Sequence, residues 1–131
     1  MQQYSRNEMI RYRLQRSKQT IVEAEGALKN NQLHLAANRI YYAIFYSVSA
    51  LSLTQNFSTS KHKQLLGWFT KNFIRTQLLP VELGKIYAST YETRQEGDYD
   101  DMVEFDKDSL TAKFADMKKL VDEIEKMIKT K

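Results

Sequence analysis

The chain of 131 residues contains no cysteine, one proline and four glycines. Without cysteine there is no disulfide, no thiolate metal ligand, no iron–sulfur cluster and no thiol nucleophile. So few turn-formers do not suit an all-β chain, which needs a turn every ~8–12 residues. Histidine is scarce too: His34 and His62 are the two present. Neither lies in an HExxH or ExxH pair, so no metal site and no cofactor is expected. P-loop and GxGxxG motifs are absent. Long hydrophobic runs are also missing. The longest, Ile40 to Leu53, spans 14 residues (53 − 40 + 1), whereas a bilayer crossing needs about 20. The N-terminus alternates charged and polar residues and has no apolar segment of a secretory signal. These absences lead to the expectation of a cytoplasmic protein with no membrane partner.

What is present is helical periodicity. At ~100–200 residues per domain, the whole chain, 1–131, reads as one domain. Ile10, Leu14, Ser17, Ile21, Ala24 and Leu28 step by 4, 3, 4, 3, 4, which keeps one helix face inward. Ser5 with Glu8 fits a capping box, so a first helix is predicted over 6–29, ended by Asn30-Asn31. A second helix covers 32–54. Its half from Ile40 to Leu51 is apolar or aromatic on every side. Such a helix is buried all round, at the centre of a bundle or against another subunit.

A third helix is predicted over 61–75, with Leu65, Phe69 and Phe73 inward. Pro80 fits the first turn of a fourth helix. Leu83, Ile86 or Tyr87, and Thr90 would form its inner face, and Gly97 would end it. An acidic connection, 97–108, leads to a fifth helix capped by Asp106 or Asp108. There Leu110, Phe114, Met117, Val121, Ile124 and Ile128 repeat the 4, 3 spacing. The predicted fold is all-α, an up-and-down antiparallel bundle of about five helices.

The formal charge is +4, but it is unevenly spread. Residues 1–20 hold five bases against Glu8, a net +4; residues 92–108 hold eight acids against Arg94 and Lys107, a net −6. The N-terminal arginines are expected to form a solvated basic face.

Three blocks carry a resemblance. They are Leu35-Ala36-Ala37-Asn38-Arg39-Ile40-Tyr41-Tyr42-Ala43-Ile44-Phe45, then Ser60-Lys61-His62-Lys63 followed by Phe69 and Phe73, then Arg94-Gln95-Glu96-Gly97-Asp98-Tyr99. In this order and spacing they resemble the HEPN domain family, over about 5–128. The resemblance implies a helical bundle that pairs as a homodimer, in a bacterial or archaeal host. It implies a partner, a minimal nucleotidyltransferase, in a toxin–antitoxin pair, and RNA or nucleotide as ligand. Many such proteins are metal-independent endoribonucleases whose signature is an Arg, four to six residues, then a His.

This sequence departs from that signature. No Arg lies five to seven residues before His34 or His62. With Tyr in place of His, Arg94 and Tyr99 occupy the family's active block, and they are the candidate catalytic pair. Two side chains five residues apart point ~140° apart on a straight helix. They converge only if the helix ends between them, at Gly97. Tyrosine, with a pKa near 10, is a poor neutral-pH base where histidine is a good one. Nucleotide or RNA-phosphate binding is therefore expected ahead of efficient cleavage. Arg94 would fork a phosphate, and Tyr99 would donate to it, stack a base or accept a nucleotidyl group. Asp98 would orient Arg94, with Asn38, Arg39 and His62 completing the set. The tyrosines Tyr41, Tyr42 and Tyr46 read as core or dimer interface. The alternative function is a non-catalytic helical module that dimerises and docks a partner.

Overall fold

The computed structural model describes residues 4–130; residues 1–3 and 131 of the expected domain lie outside the described residues. Five helices follow one another: α1 (Arg6–Lys29), α2 (Leu33–Thr54), α3 (His62–Phe69), α4 (Val81–Tyr99) and α5 (Lys107–Lys129). Among the described residues none is long and apolar enough to cross a membrane.

Local chemistry sets the helix ends. The Ser5 hydroxyl accepts from Glu8 N–H at 3.1 Å and donates to the Glu8 carboxylate at 3.2 Å, which ties off the first turn of α1. Asn31 (φ 56°) and Asn56 (φ 58°) take the left-handed conformation just past α1 and α2, where a short polar side chain is tolerated. Asp106 caps α5 by accepting from Ser109 N–H at 3.0 Å.

α2 runs through the middle. Its Ile40, Ile44, Val48 and Leu51 meet Leu65, Phe69 and Phe73 from the α3 region, Leu83 and Tyr87 of α4, and Met117, Leu120 and Ile124 of α5. Fully burying a side chain of this size contributes about 1.5–3 kcal/mol, so this cluster anchors the bundle. α1 lies antiparallel along α2: Ile10 packs with Ala50 and Leu53, while Ala27 and Leu28 pack with Ala36 and Ala37. Small residues let the two backbones approach, and buried Ser17 donates to the Ala43 carbonyl at 2.6 Å.

Three expectations are corrected. Pro80 is the N-cap of α4, with ψ 149°, rather than part of its first turn. The third helix is not α-helical to residue 75. After Phe69 it passes into a π-helical turn, Thr70–Ile74. Arg75 N–H donates to Thr70 O at 2.9 Å, while the Asn72 side chain takes the Trp68 carbonyl at 2.8 Å. Gly97 does not end α4, which continues to Tyr99. Its missing side chain instead makes room: a Cβ there would stand 2.8 Å from the Phe105 ring. Within the single chain α2 is central but not covered on every side, so of the two expected settings the bundle centre accounts for most of it. Tyr41 is wholly buried, but Tyr42, Phe45 and Tyr46 are half-buried.

Candidate functional site

The side chains that converge lie where α2 crosses α4. α4 buries Leu83, Tyr87 and Thr90, and Arg94, four residues beyond Thr90, extends that face over the α2 tyrosines. The Arg94 side chain is 15% exposed. Its guanidinium carbon lies 5.5 Å from the Tyr41 ring centre and 5.4 Å from that of Tyr42. Cation–π attraction strengthens as water is removed. Arg94 Nη2 donates to the Tyr42 hydroxyl at 3.3 Å.

Arg94 Nε stands 2.7 Å from Asp98 Oδ2. That carboxylate lies off the N–H axis, so the contact is an ion pair, and the buried Nε–H has no aligned acceptor among the described residues. Nη1 has no hydrogen-bond partner there either. The guanidinium is thus held in place with Nε buried and Nη2 on Tyr42, which leaves Nη1 as the donor for a ligand such as phosphate.

A polar chain continues from this point. Asn38 Nδ2 reaches Asp98 Oδ2 at 3.5 Å, and Asn38 Oδ1 accepts from Arg39 Nε and Nη2 at 3.0 and 2.7 Å. Arg39 Nη1 pairs with Glu23 of α1 at 3.1 Å. Its guanidinium lies 5.1 Å from the Tyr42 ring centre. Tyr42 therefore sits between two arginines.

His62 approaches from the start of α3. Its ring stacks on Phe45, with centres 4.5 Å apart and planes 18° apart. Nδ1 and the Tyr41 hydroxyl are 2.7 Å apart. Burial, then the nearby Arg94 charge, lowers the His62 pKa below its ordinary value, so the ring is neutral at pH 7. Burial raises the Tyr41 phenol well above its ordinary value, which keeps its proton on.

Of the residues singled out in the sequence, Arg94, Asp98, Asn38, Arg39 and His62 gather around Tyr41 and Tyr42. Tyr99 does not join them. It is the last residue of α4 and 80% exposed, because the helix runs on through Gly97 and carries the side chain away from Arg94. His34 is elsewhere: Nδ1 faces Gly97 O at 3.2 Å and Nε2 faces Val103 O at 2.8 Å, joining α2 to the α4–α5 connection. Among the described residues no three His, Asp or Glu side chains group as metal ligands.

Sequence reasoning missed Tyr42 and Glu23 as partners of the two arginines. A signal existed for Tyr42: Asn38, Tyr42, Phe45 and Ser49 step by 4, 3, 4 along one face of α2.

This arrangement of blocks in an α-bundle has counterparts. The HEPN domain profile matches residues 10–130. The chain belongs to the HEPN domain family. A UPF0332 protein of Thermotoga maritima is 40% identical over 123 residues, covering 94% of this chain and 93% of its own. Two chains of Methanocaldococcus jannaschii bear the name "putative toxin". One is 41% identical over 88 residues, 66% of this chain and 60% of that one; the other is 29% identical over 92 residues, 70% and 69% respectively.

Proposed function

We propose that this HEPN protein is the nucleotide- or RNA-phosphate-binding member of a toxin–antitoxin-type pair, with a minimal nucleotidyltransferase as its partner. Family membership and the toxin names of two relatives support the pairing. The observation that carries the site is Arg94. It is held by Asp98, Tyr41 and Tyr42, and its Nη1 has no hydrogen-bond partner among the described residues. Asn38 and Arg39 flank it, linked in turn to Asp98 and Glu23, and His62 stands one tyrosine away.

Binding is favoured over turnover. Cleavage through the 2′-hydroxyl needs a base and an acid with pKa values near the working pH. Tyr99, remote from Arg94 and a phenol, supplies neither beside the guanidinium. The chain is read as a homodimer, as the family resemblance implies. The second reading is a non-catalytic module that dimerises and docks a partner, for which half-exposed Tyr42 on α2 offers a contact.

Purified protein is to be incubated with RNA in EDTA beside Arg94→Ala, and RNA binding measured for both. No cleavage by either, with binding lost in Arg94→Ala, is expected. Unchanged binding of RNA and nucleotide by Arg94→Ala would refute the site and leave the docking module. A monomer at micromolar concentration would refute the homodimer.

A further inference from the structure

The N-terminal arginines are not all on a solvated face. Arg13 and Arg16 are half-buried against α2, while Arg6 and Arg11 are exposed. Arg13 Nη1 donates to the Ser49 hydroxyl at 2.8 Å and to its carbonyl at 3.3 Å. Arg16 lies 5.1 Å from the Tyr46 ring centre and meets its hydroxyl at 3.5 Å. Neither pairs with a carboxylate among the described residues.

Between them and the loop after α2 is an open cleft of about 560 Å³. Its walls bring together Arg13 and Arg16 of α1, Phe45 and Tyr46 of α2, and Ser58 and Ser60 of the loop. His62 forms its inner edge, and no Asp or Glu lines it. The Ser58 and Ser60 hydroxyls have no hydrogen-bond partner among the described residues, and neither does His62 Nε2. The cleft therefore offers two cations, free hydroxyl donors and the aromatic surface of Phe45 and Tyr46. Sites for small ligands fall in the range of ~300–1,000 Å³.

We infer that this cleft binds one nucleotide unit, its phosphate on Arg13, Arg16 and the loop hydroxyls and its base against Phe45 and Tyr46. Phosphate favours paired guanidinium donors, and a base gains from an aromatic face whatever its sequence. The nucleotide is either free or part of an RNA strand, since both present the same phosphate and ring. The inference extends the nucleotide-binding reading above. Through His62 and Phe45 the cleft adjoins the Arg94 cluster, so a strand passing Arg94 would have a second seat beside it.

Binding of AMP is to be measured by titration calorimetry, and of a labelled 12-nucleotide single-stranded RNA by anisotropy, for wild type, Arg16→Gln and Arg94→Ala. Arg16 is the better target because its tie to α2, at 3.5 Å to the Tyr46 hydroxyl, is weaker than the 2.8 Å bond of Arg13 to Ser49. Thermal melts check folding, and Ser58→Phe, which fills the cleft from an exposed loop, is the second variant. Arg16→Gln and Ser58→Phe are expected to weaken binding at least ~10-fold. The salt slope for RNA should fall by ~0.7, the loss of one phosphate contact. Where the cleft variants weaken binding, loss of AMP and RNA alike points to a strand seat and loss of AMP alone to a free nucleotide; either supports the cleft. Wild-type affinity in both cleft variants overturns it. If Arg94→Ala alone weakens binding, the cleft falls and the Arg94 site stands. If the cleft variants alone weaken it, the Arg94 site falls and the cleft stands. No binding of either probe by the wild type overturns both.

Discussion

Replacing Tyr87 with phenylalanine is expected to stabilise the fold, which is unusual for a change at a wholly buried position. Tyr87 packs edge-on to Phe69 with ring centres 5.5 Å apart. Its hydroxyl is buried with no hydrogen-bond partner among the described residues. Burial holds the phenol well above its ordinary pKa, so ionisation offers no relief. A buried donor left unpaired costs about 1–3 kcal/mol. Phenylalanine keeps the ring and its contacts and gives up one oxygen, so most of that cost is recovered. For a chain of this size each kcal/mol is worth about 4 °C in Tm, so a rise of about 4–8 °C is expected. Tyr41→Phe is the internal control. There the lost hydroxyl is paired with His62 at 2.7 Å, so a loss of about 0.5–1.5 kcal/mol is expected. Calorimetric melting of both variants reads the two signs in one experiment. A lower Tm for Tyr87→Phe would refute the reasoning and show that its hydroxyl is bonded.

Ser17→Val should cost about 1–3 kcal/mol in chemical denaturation, since it removes the bond to Ala43 and forces extra methyls between α1 and α2; an unchanged midpoint would show that the helices are not in close contact there. His62 should titrate below 6.5 by NMR, and a midpoint at or above that value would refute its burial beside Arg94. With the folded pKa below the unfolded one, stability is full above pH ~6.5 and falls as pH drops towards the folded value, because the unfolded state binds the proton first; His62→Gln should remove that slope. Gly97→Ala should lower stability by about 1–2 kcal/mol despite alanine's better helix propensity, because its Cβ would displace the Phe105 ring; a gain in Tm would show that the ring yields freely.

The helices were legible where one physical signal dominated. α1 and α5 follow the 4, 3 step of their apolar residues, and Ser5 and Asp106 cap them as their chemistry requires. Gly97 misled because glycine serves two purposes. It permits left-handed backbone at helix ends, and it vacates space; only the tertiary contact with Phe105 decides which applies. The π-helical turn leaves no periodic trace, since one shifted hydrogen bond barely alters the spacing of Phe69 and Phe73. At the site, Arg94, Asp98 and Asn38 could be nominated from local blocks. Their convergence on Tyr42 depends on how α4 crosses α2, which spacing along one helix does not encode. Arg13 and Arg16 looked solvated because charge alone does not reveal which helical face a neighbour covers.

The loop that lends Ser58 and Ser60 to the cleft also carries Phe57, whose ring lies parallel to Trp68, with centres 5.4 Å apart and planes 2° apart. Trp68 is the single tryptophan of the chain. Its emission therefore comes from one place, beside the segment that a ligand in the cleft would press on. The protein carries its own optical probe: a spectral shift on adding nucleotide would report the loop's response without a label, a mutation or a partner.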